Sequence, residues 1–414
     1  LTKPSQPAGA ASQGPVEVTG YAEVREAWRN TKLSAAIHET GEHLFHEGTI
    51  NRTEGREHMA RRRALSRLIG RQGHKDFRDR ILFPTIDAAM RDVQSHRDAD
   101  GYARVELIRW SRRANFVLAA SLAGYDGVDD PKVADEFFEL WNTFTSGRPS
   151  SYRQSMGTSE LDTPAFRATL AARQAIYERF YVPALERRQA LVARHKAGEL
   201  TEDELPHDLL TLIVLQVDPR WADPGLAERE TLFVLNAGVR TTSGALYWSL
   251  RELFPWLEKH PEDRARLGDD AFLLRVASEA MRLHPVAPGF PRIAEEDVHL
   301  SGGTEIHKGG MAVICGGLAN VAPEIWGTQA AEFNPHRAVP EGMEPYGLAF
   351  GTGPHLCYGK PLVIGNEGID GSLVYYLKTL MAARMEPDPA APQPANYLKG
   401  LHCEVEDYFV RFPR

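Results

Sequence analysis

The sequence predicts a mainly α chain with a smaller β region, an α+β fold. Apolar residues return at helical spacing over most of Phe77–Ala197, and again along Leu226–Leu253 and Ala271–Leu283. Strand-like stretches are short and lie toward the ends: Val16–Val18 ahead of a turn at Gly20, the segment after proline-rich Pro285–Arg292, glycine-rich Ser301–Gly317, and Asn396–Phe412. Between the last two lies Phe350-Gly351-Thr352-Gly353-Pro354-His355-Leu356-Cys357-Tyr358-Gly359, which reads F-x-x-G-x-x-x-C-x-G.

Composition narrows the function classes. The chain has 414 residues, 43% apolar and 25% charged, which suits a globular protein able to bury a large core. Length alone favours two or three domains. The net charge of -8 argues against a nucleic-acid binder. Cys315, Cys357 and Cys403 are too few and too scattered for a disulfide framework or a zinc site, which fits a reducing cytoplasm. The longest apolar runs, near Phe116–Ala123 and Leu209–Val217, are about half the roughly 20 residues a membrane span needs. No secretory signal is visible. Leu1–Pro15, rich in Pro, Ala, Gly, Ser and Gln, reads as a disordered lead.

Taken in order, Val16–Trp28 reads as strand, turn and short helix. Thr31–Thr49 is irregular and carries His38, His43 and His46. The spacing His38-Glu39-x-x-Glu42-His43 is one residue too long for H-E-x-x-H, so a loop that binds no metal is expected. A helix begins at Gly55 and runs to about Ile69. His58 and Arg62 are four apart and share a face of it, which suits an anionic partner. Helical patterns follow at Phe77–Ser95, Arg104–Leu122, Pro131–Thr145, Thr163–Lys196 and Leu205–Val217, and the long, polar stretch Gly124–Tyr152 reads as an insertion only against the family resemblance given below. Gly238, inside the long apolar pattern, costs about 1 kcal/mol relative to Ala, so something approaches that backbone closely. Ala271–Leu283 contains Glu279-Ala-Met-Arg282, a carboxylate and guanidinium that face each other. Ser301–Gly317 lacks G-K-[ST] and reads as a hairpin with glycine turns rather than a phosphate loop. After Cys357 one helix is expected from Lys360–Leu362 to about Arg384, with Pro361 in its first turn.

The cysteine stretch has a chemical reason for its residues. A cysteine thiolate can be the axial ligand of haem iron, pushing electron density onto the metal and favouring O–O cleavage. Glycines let the turn lie flat against a porphyrin, and backbone N–H groups there can tune the sulfur. From the chain's own composition the four fixed residues recur by chance on the order of once in a thousand such chains.

The stretch resembles the haem-binding loop of the cytochrome P450 superfamily, in the bacterial form G-x-H-x-C-x-G at Gly353, His355, Cys357 and Gly359. The resemblance extends from about Val18 to the C-terminus. It implies a single domain over residues 16–414 with the cytochrome P450 fold, haem lying between the long central helix and the Cys loop. The N-terminal helix and strands usual in the family are expected to be missing ahead of Val16. It implies haem b (iron protoporphyrin IX) with Cys357 as metal ligand and Phe350, Gly351 and Gly359 beside it. His58, Arg62, Arg292 and His355 are matched to propionate-holding positions, and Glu279, Arg282 and Arg337 to a structural ionic triad. Leu44, Phe45, Val286, Ala287 and Phe290 fall at substrate-pocket positions. Arg61, Arg63, Arg67 and Arg71 are candidates for a basic surface facing an acidic redox partner.

In the central helix, Ala237-Gly238-Val239-Arg240-Thr241-Thr242 is similar to the family's A-G-x-[DE]-T, with Thr241 at the oxygen-steadying alcohol. The departure is Arg240 at the acid position, since arginine stays charged and relays no proton at neutral pH. Three readings stand: a salt bridge or solvent exposure, recognition of an anionic substrate, or altered oxygen chemistry. The resemblance implies a cytoplasmic bacterial oxidoreductase, a haem-dependent monooxygenase. It would insert one oxygen atom from O2 into a small or medium organic molecule, an anion under the second reading of Arg240, with electrons from a ferredoxin or flavodoxin and its NAD(P)H-dependent reductase. A peroxide-dependent or non-monooxygenase haem-thiolate enzyme is the alternative, and a haem-binding sensor or carrier a more distant one.

Overall fold

The computed structural model describes residues 14–35, 42–147, 163–366, 368–391, 395–399 and 402–414. The lead up to residue 13 and His38 lie outside the described residues, as does most of the stretch after Gly147 that was read as part of an insertion.

The chain opens as its pattern implies, with β1 (Val16–Val18) and α1 (Tyr21–Arg29) flanking Gly20. β2 (Leu33–Ser34) and the single turn α2 (Glu42–Phe45) lead to α3 (Gly55–Ile69), which has the expected bounds. α4 (Arg71–Phe77) passes through a wide turn into α5 (Phe83–Ser95). Where a helix was expected from Arg104, Ala103–Glu106 instead forms β3, which pairs antiparallel with β11 (Phe409–Phe412) near the other end of the chain. The helix, α6 (Leu107–Ala123), starts only after Glu106, whose carboxylate accepts the Ile108 and Arg109 amides. α7 (Pro131–Ser146), α8 (Pro164–Ile176), α9 (Val182–Lys196) and the short α10 (Leu209–Val214) follow.

The central helix, α11 (Pro224–Lys259), has 36 residues and spans roughly 54 Å at 1.5 Å per residue. Asp223 caps it by accepting the Gly225 amide, and Pro224 fits its first turn. It continues through Pro255, past the Leu253 end expected from sequence. α11 lies along α6, and α12 (Asp270–Leu283) and α16 (Ser372–Ala382) pack on it. Leu235, Val239, Leu246, Leu250 and Leu253 are fully buried in this core, each worth about 1.5–3 kcal/mol of transfer from water.

A four-stranded sheet takes the order β1-β7-β4-β2, using β4 (Phe290–Ala294) and β7 (Met311–Ile314), with β1 parallel to β7 and the other pairs antiparallel. Between them β5 (Val298–His299) and β6 (Glu305–Ile306) form a hairpin that turns at 300–304, so its first strand precedes the Ser301–Gly317 stretch where a hairpin was expected. Two single turns, α13 (Gly316–Ala319) and α14 (Pro323–Trp326), precede the Cys loop. Near the C-terminus, β8 (Glu386–Pro387) joins β11, and β9 (Ala395–Lys399) pairs with β10 (His402–Glu406).

The single helix expected from Lys360 to Arg384 is two. α15 (Lys360–Ile364) stops at Gly365, which has φ 90°, and α16 begins at Ser372. Asn366 and Ile369 exchange both backbone hydrogen bonds at 2.9 Å, closing a tight reversal. A Cβ on Gly371 would lie 2.3 Å from the Val363 carbonyl, so the close approach of the two arms requires glycine. No helix among the described residues is long and apolar enough to cross a membrane.

Candidate active site

The Cys loop is closed by the Cys357 amide, which donates to the Phe350 carbonyl at 2.8 Å. Gly351 and Gly353 both have positive φ, 68° and 73°. A Cβ on Gly353 would fall 2.9 Å from Arg29 Cγ and 3.0 Å from the Trp28 carbonyl, so this glycine serves the packing of α1. The Cys357 sulfur lies deep in the protein, and burial pushes its pKa up. The Gly359 and Lys360 amides, then the Arg62 and Lys360 charges, pull the other way. Cys357 is nevertheless exposed, so the sulfur looks into open interior space.

Gly359 tests whether haem fits there. Its φ is -76°, which any residue adopts, and a Cβ would meet nothing within 4 Å. Neither backbone conformation nor the protein's own packing calls for glycine at this position. An added methyl would enter open space along the Cys loop, room that a flat macrocycle needs. The cofactor therefore fits this loop.

A charged cluster borders the loop. Arg62, on α3, donates from Nη1 to the Leu356 carbonyl at 2.8 Å, and its guanidinium lies 5.6 Å from the Tyr358 ring centre. His355 Nε2 is 3.0 Å from Glu54 Oε2. Arg292, on β4, is 9% exposed, and burial pushes its pKa down to about 10 against the opposing Glu54 charge. Glu54 also accepts the Ala35 amide at 2.6 Å. Sequence reasoning missed Glu54, and only its place just before α3 marked it. Arg62 and Arg292 outnumber the single Glu54 carboxylate in charge, which suits the propionates of a haem.

His58 is placed differently from expectation. It is 2% exposed, its Nδ1 is 3.0 Å from the Ile50 carbonyl and its Nε2 3.0 Å from the Pro354 carbonyl. Both ring nitrogens are engaged by backbone, so holding a propionate requires one of them to let go. Its ring lies 4.0 Å from that of His355. Arg61 also departs from expectation: it is fully buried rather than on a basic surface, whereas Arg63, Arg67 and Arg71 are exposed.

On the central helix Ala237 is exposed although its neighbours Asn236 and Val239 are partly or fully buried, so this stretch faces the interior space. A Cβ on Gly238 would meet only Ala119 of α6, at an ordinary 3.9 Å. The close approach expected there does not come from the protein. Thr241 Oγ1 donates to the Ala237 carbonyl at 2.7 Å. Arg240 donates to Thr145 Oγ1 at 3.2 Å, with its guanidinium 5.4 Å from the centre of the Trp141 ring, so its fork lies against α7. Trp141 in turn donates to Asn236 at 2.7 Å.

Away from this space, Glu279, Arg282 and Arg337 come together. Arg282 reaches both Glu279 oxygens, and Arg337 Nε donates to Oε1, all at 2.8 Å. Among the pocket candidates, Phe45 is buried against Phe144 and Phe166, with ring centres 5.9 and 6.2 Å away. Val286 abuts Gly244, where a Cβ would come within 2.8 Å of it. Phe290 stands edge-on to Trp28 at 6.4 Å, and Leu44 and Ala287 are half-buried. Among the described residues no group of three His, Cys, Asp or Glu side chains forms a metal cluster.

Residues 226–364 match the model of the family described as Cytochrome P450. Among curated proteins, the chain is 32% identical over 158 residues to Cytochrome P450 monooxygenase sphH of Aspergillus fumigatus, covering 30% of this chain and 28% of that one. It is 26% identical over 360 residues to Benzoate 4-monooxygenase bphA of Aspergillus niger, covering 76% and 69%. The first curated relatives are matched over only 21–30% of their own lengths. Among solved structures, CYP109E1 from Bacillus megaterium superposes with a TM-score of 0.70 at 14% identity, covering 96% of this chain and 92% of that one. HmtT, involved in himastatin biosynthesis, superposes with a TM-score of 0.69 at 20% identity, covering 99% and 95%. These likenesses show the fold over nearly the whole chain.

Proposed function

We propose that this chain, a member of the cytochrome P450 superfamily, is a haem-thiolate monooxygenase inserting one oxygen atom from O2 into an organic substrate. The observation that carries this is Cys357: a deep yet open sulfur, faced by two amides and bordered by a glycine whose missing side chain leaves room for a macrocycle. The cofactor is proposed to be haem b, within one domain over residues 16–414.

When bound, the haem supplies the oxygen activation and transfer. The chain's own residues position and protect. Cys357 ligates the metal, and the Gly359 and Lys360 amides moderate the charge on its sulfur. Phe350 and Gly351 shape the loop. Arg62, Arg292 and His355 hold the propionates. The Thr241 hydroxyl donates a hydrogen bond to the Ala237 carbonyl, and its rotation presents that donor to the open side of α11. Ala237 and Gly238 keep that side free of bulk. Leu44, Phe45, Val286, Ala287 and Phe290 are proposed as pocket walls that exclude water from the substrate. Electrons come from a separate ferredoxin or flavodoxin, in a cytoplasmic setting consistent with three scattered cysteines.

Arg240 is the residue for an anionic substrate: its planar fork can take a carboxylate in two hydrogen bonds once it turns from Thr145 and Trp141. The relative named for benzoate is consistent with that class. The same residue motivates a second reading, peroxide-driven oxidation, since Arg240 lies against Trp141 and Thr145 and relays no proton. The test is reconstitution with haem of wild type and Cys357→Ser. The wild type is expected to show the thiolate-type ferrous carbonyl band and turnover with surrogate ferredoxin and NADPH. The variant is expected to lack that band. Turnover with peroxide that rivals turnover with the electron-transfer chain moves the assignment to the second reading.

A further inference from the structure

Lys360 opens α15, three residues after Cys357. Its amide faces the sulfur, and an amide does so there whatever side chain follows it. What this chain adds is an ammonium. Nζ donates to the Tyr346 hydroxyl at 3.1 Å and lies 5.6 Å from the centre of that ring. Tyr346 is 3% exposed and stands edge-on to Phe350, with ring centres 5.0 Å apart. Phe350 in turn closes the Cys loop, since its carbonyl accepts the Cys357 amide. The ammonium is therefore held by an aromatic pair built into the loop that carries the sulfur. Burial first, then Glu344, push the Tyr346 pKa up, so the hydroxyl that accepts from Lys360 stays a neutral phenol. Among the described residues no carboxylate forms a salt bridge with Lys360. Its charge is half-buried and acts on the sulfur. Arg62 acts on the sulfur as well, but a propionate taken up by Arg62 offsets that charge.

We propose that the Lys360 ammonium, held on Tyr346, raises the reduction potential of the haem and so favours electron uptake from a donor protein over the use of peroxide. This rests on the haem-thiolate reading and deepens it by naming the residue that sets the balance between two oxidants. When the haem takes one electron from a ferredoxin or flavodoxin, the donor loses one and no bond forms or breaks. The haem and its thiolate then carry one more negative charge. A cation beside the sulfur stabilises that more negative form. Partial burial keeps salt from screening the cation fully. The same cation draws electron density from the sulfur, and with it the push that favours O–O cleavage. Peroxide use relies on that push alone, whereas the donor route must first take up an electron. Lys360 therefore eases the first step of the donor route and weakens the step on which peroxide depends. It touches no substrate and acts through Cys357, so it is a positioning residue. Tyr346 positions Lys360 in turn.

Potentiometric titration of the haem-loaded protein tests this. Lys360→Met keeps the amide and a stem of similar shape but removes the charge, and Lys360→Arg keeps the charge. At the wild-type midpoint, the ratio of reduced to oxidised haem is expected to be about threefold or more lower in Lys360→Met, and within about twofold of wild type in Lys360→Arg. Tyr346→Phe, which frees Nζ, is expected to lower the ratio by less, and to change nothing in the Lys360→Met background. Peroxide-driven turnover is expected to rise relative to donor-driven turnover in Lys360→Met. Equal midpoints in wild type and Lys360→Met, with the thiolate-type ferrous carbonyl band intact in both, overturn the proposal and leave the haem-thiolate reading standing. Weaker binding of the donor protein with an unmoved midpoint also overturns it and makes Lys360 a docking contact only. Absence of the band from wild type overturns the haem-thiolate reading instead. If Lys360→Met does not load haem, Tyr346→Phe decides, and a midpoint equal to wild type overturns the proposal.

Discussion

Arg282 donates to both carboxylate oxygens of Glu279, each at 2.8 Å, with its guanidinium wholly shielded from solvent. Its remaining Nη1 donors go to the Asn320 and Ala330 carbonyls at 2.7 and 2.8 Å. The pair therefore ties α12 to the segments that lead into the Cys loop, and Arg337 extends the tie to 334–337. Breaking a buried pair from one side leaves an uncompensated charge. Glu279→Gln is expected to lower unfolding free energy by about 3–5 kcal/mol. Urea unfolding checks it, and a loss below about 1 kcal/mol, the range of a surface pair, shows that the triad does not brace the fold.

The glycines of the Cys loop separate by cause. Gly353→Ala places a Cβ against Arg29 and Trp28 at a positive φ, so it is expected to destabilise the protein whether or not haem is bound. Gly359→Ala has room and an ordinary φ, so stability without haem should stay within about 0.5 kcal/mol of wild type. Its affinity for haem should fall sharply. Measuring haem affinity and unfolding for both variants checks the cradle, and unchanged haem affinity in Gly359→Ala removes it.

His74, on α4, is fully buried, and among the described residues neither ring nitrogen has a hydrogen-bond partner. Burial first, and the Arg78 charge second, lower its pKa from 6.5. The unfolded chain then binds a proton that the folded chain refuses. Stability is full above pH 6.5 and falls as pH drops through the unfolded value toward the lowered one. His74→Phe is expected to reduce the loss of melting temperature between roughly pH 7.5 and pH 5.5. Equal losses in both proteins show that His74 does not titrate out of the fold.

Arg240 joins α11 to α7 through Thr145 and the Trp141 face. Arg240→Ala is expected to cost about 1–3 kcal/mol from the lost cation–π contact and hydrogen bond. If Arg240 also takes substrate, carboxylates will shift the haem band of wild type but not of the variant. An optical titration against acids and neutral compounds decides. Equal responses of both proteins to neutral compounds leave Arg240 a purely structural bridge.

Much of the fold was legible because its signals are local. α3 kept its expected bounds, since helical spacing and the Gly55 start lie within a few residues of each other. β3 was misread because Ala103–Glu106 becomes a strand only by pairing with 409–412, a partner no local pattern contains. At the site, Cys357 stood out through spacing and residue type, and the triad through the family resemblance. Glu54 did not, because an isolated glutamate looks like a solvated surface until the fold surrounds it. His58 was matched to an anion-holding position, whereas its geometry joins two backbone carbonyls that are 304 positions apart in sequence (354 − 50).

The reversal at 365–371 changes how the sulfur is mounted. The favourable field at a helix N-terminus comes almost wholly from its first turn, so the five-residue α15 gives Cys357 nearly the electrostatic benefit of a long helix. What it withholds is leverage. α16 is anchored to α5 by the Tyr375 hydroxyl on Asp87 at 2.8 Å and by the stacking of Tyr375 on Phe83. In one continuous rod, any rocking of that anchor would swing the thiolate with it. Here Gly365, Gly368 and Gly371 stand between them, and Cys357 sits beside a short helix that is not continuous with α16.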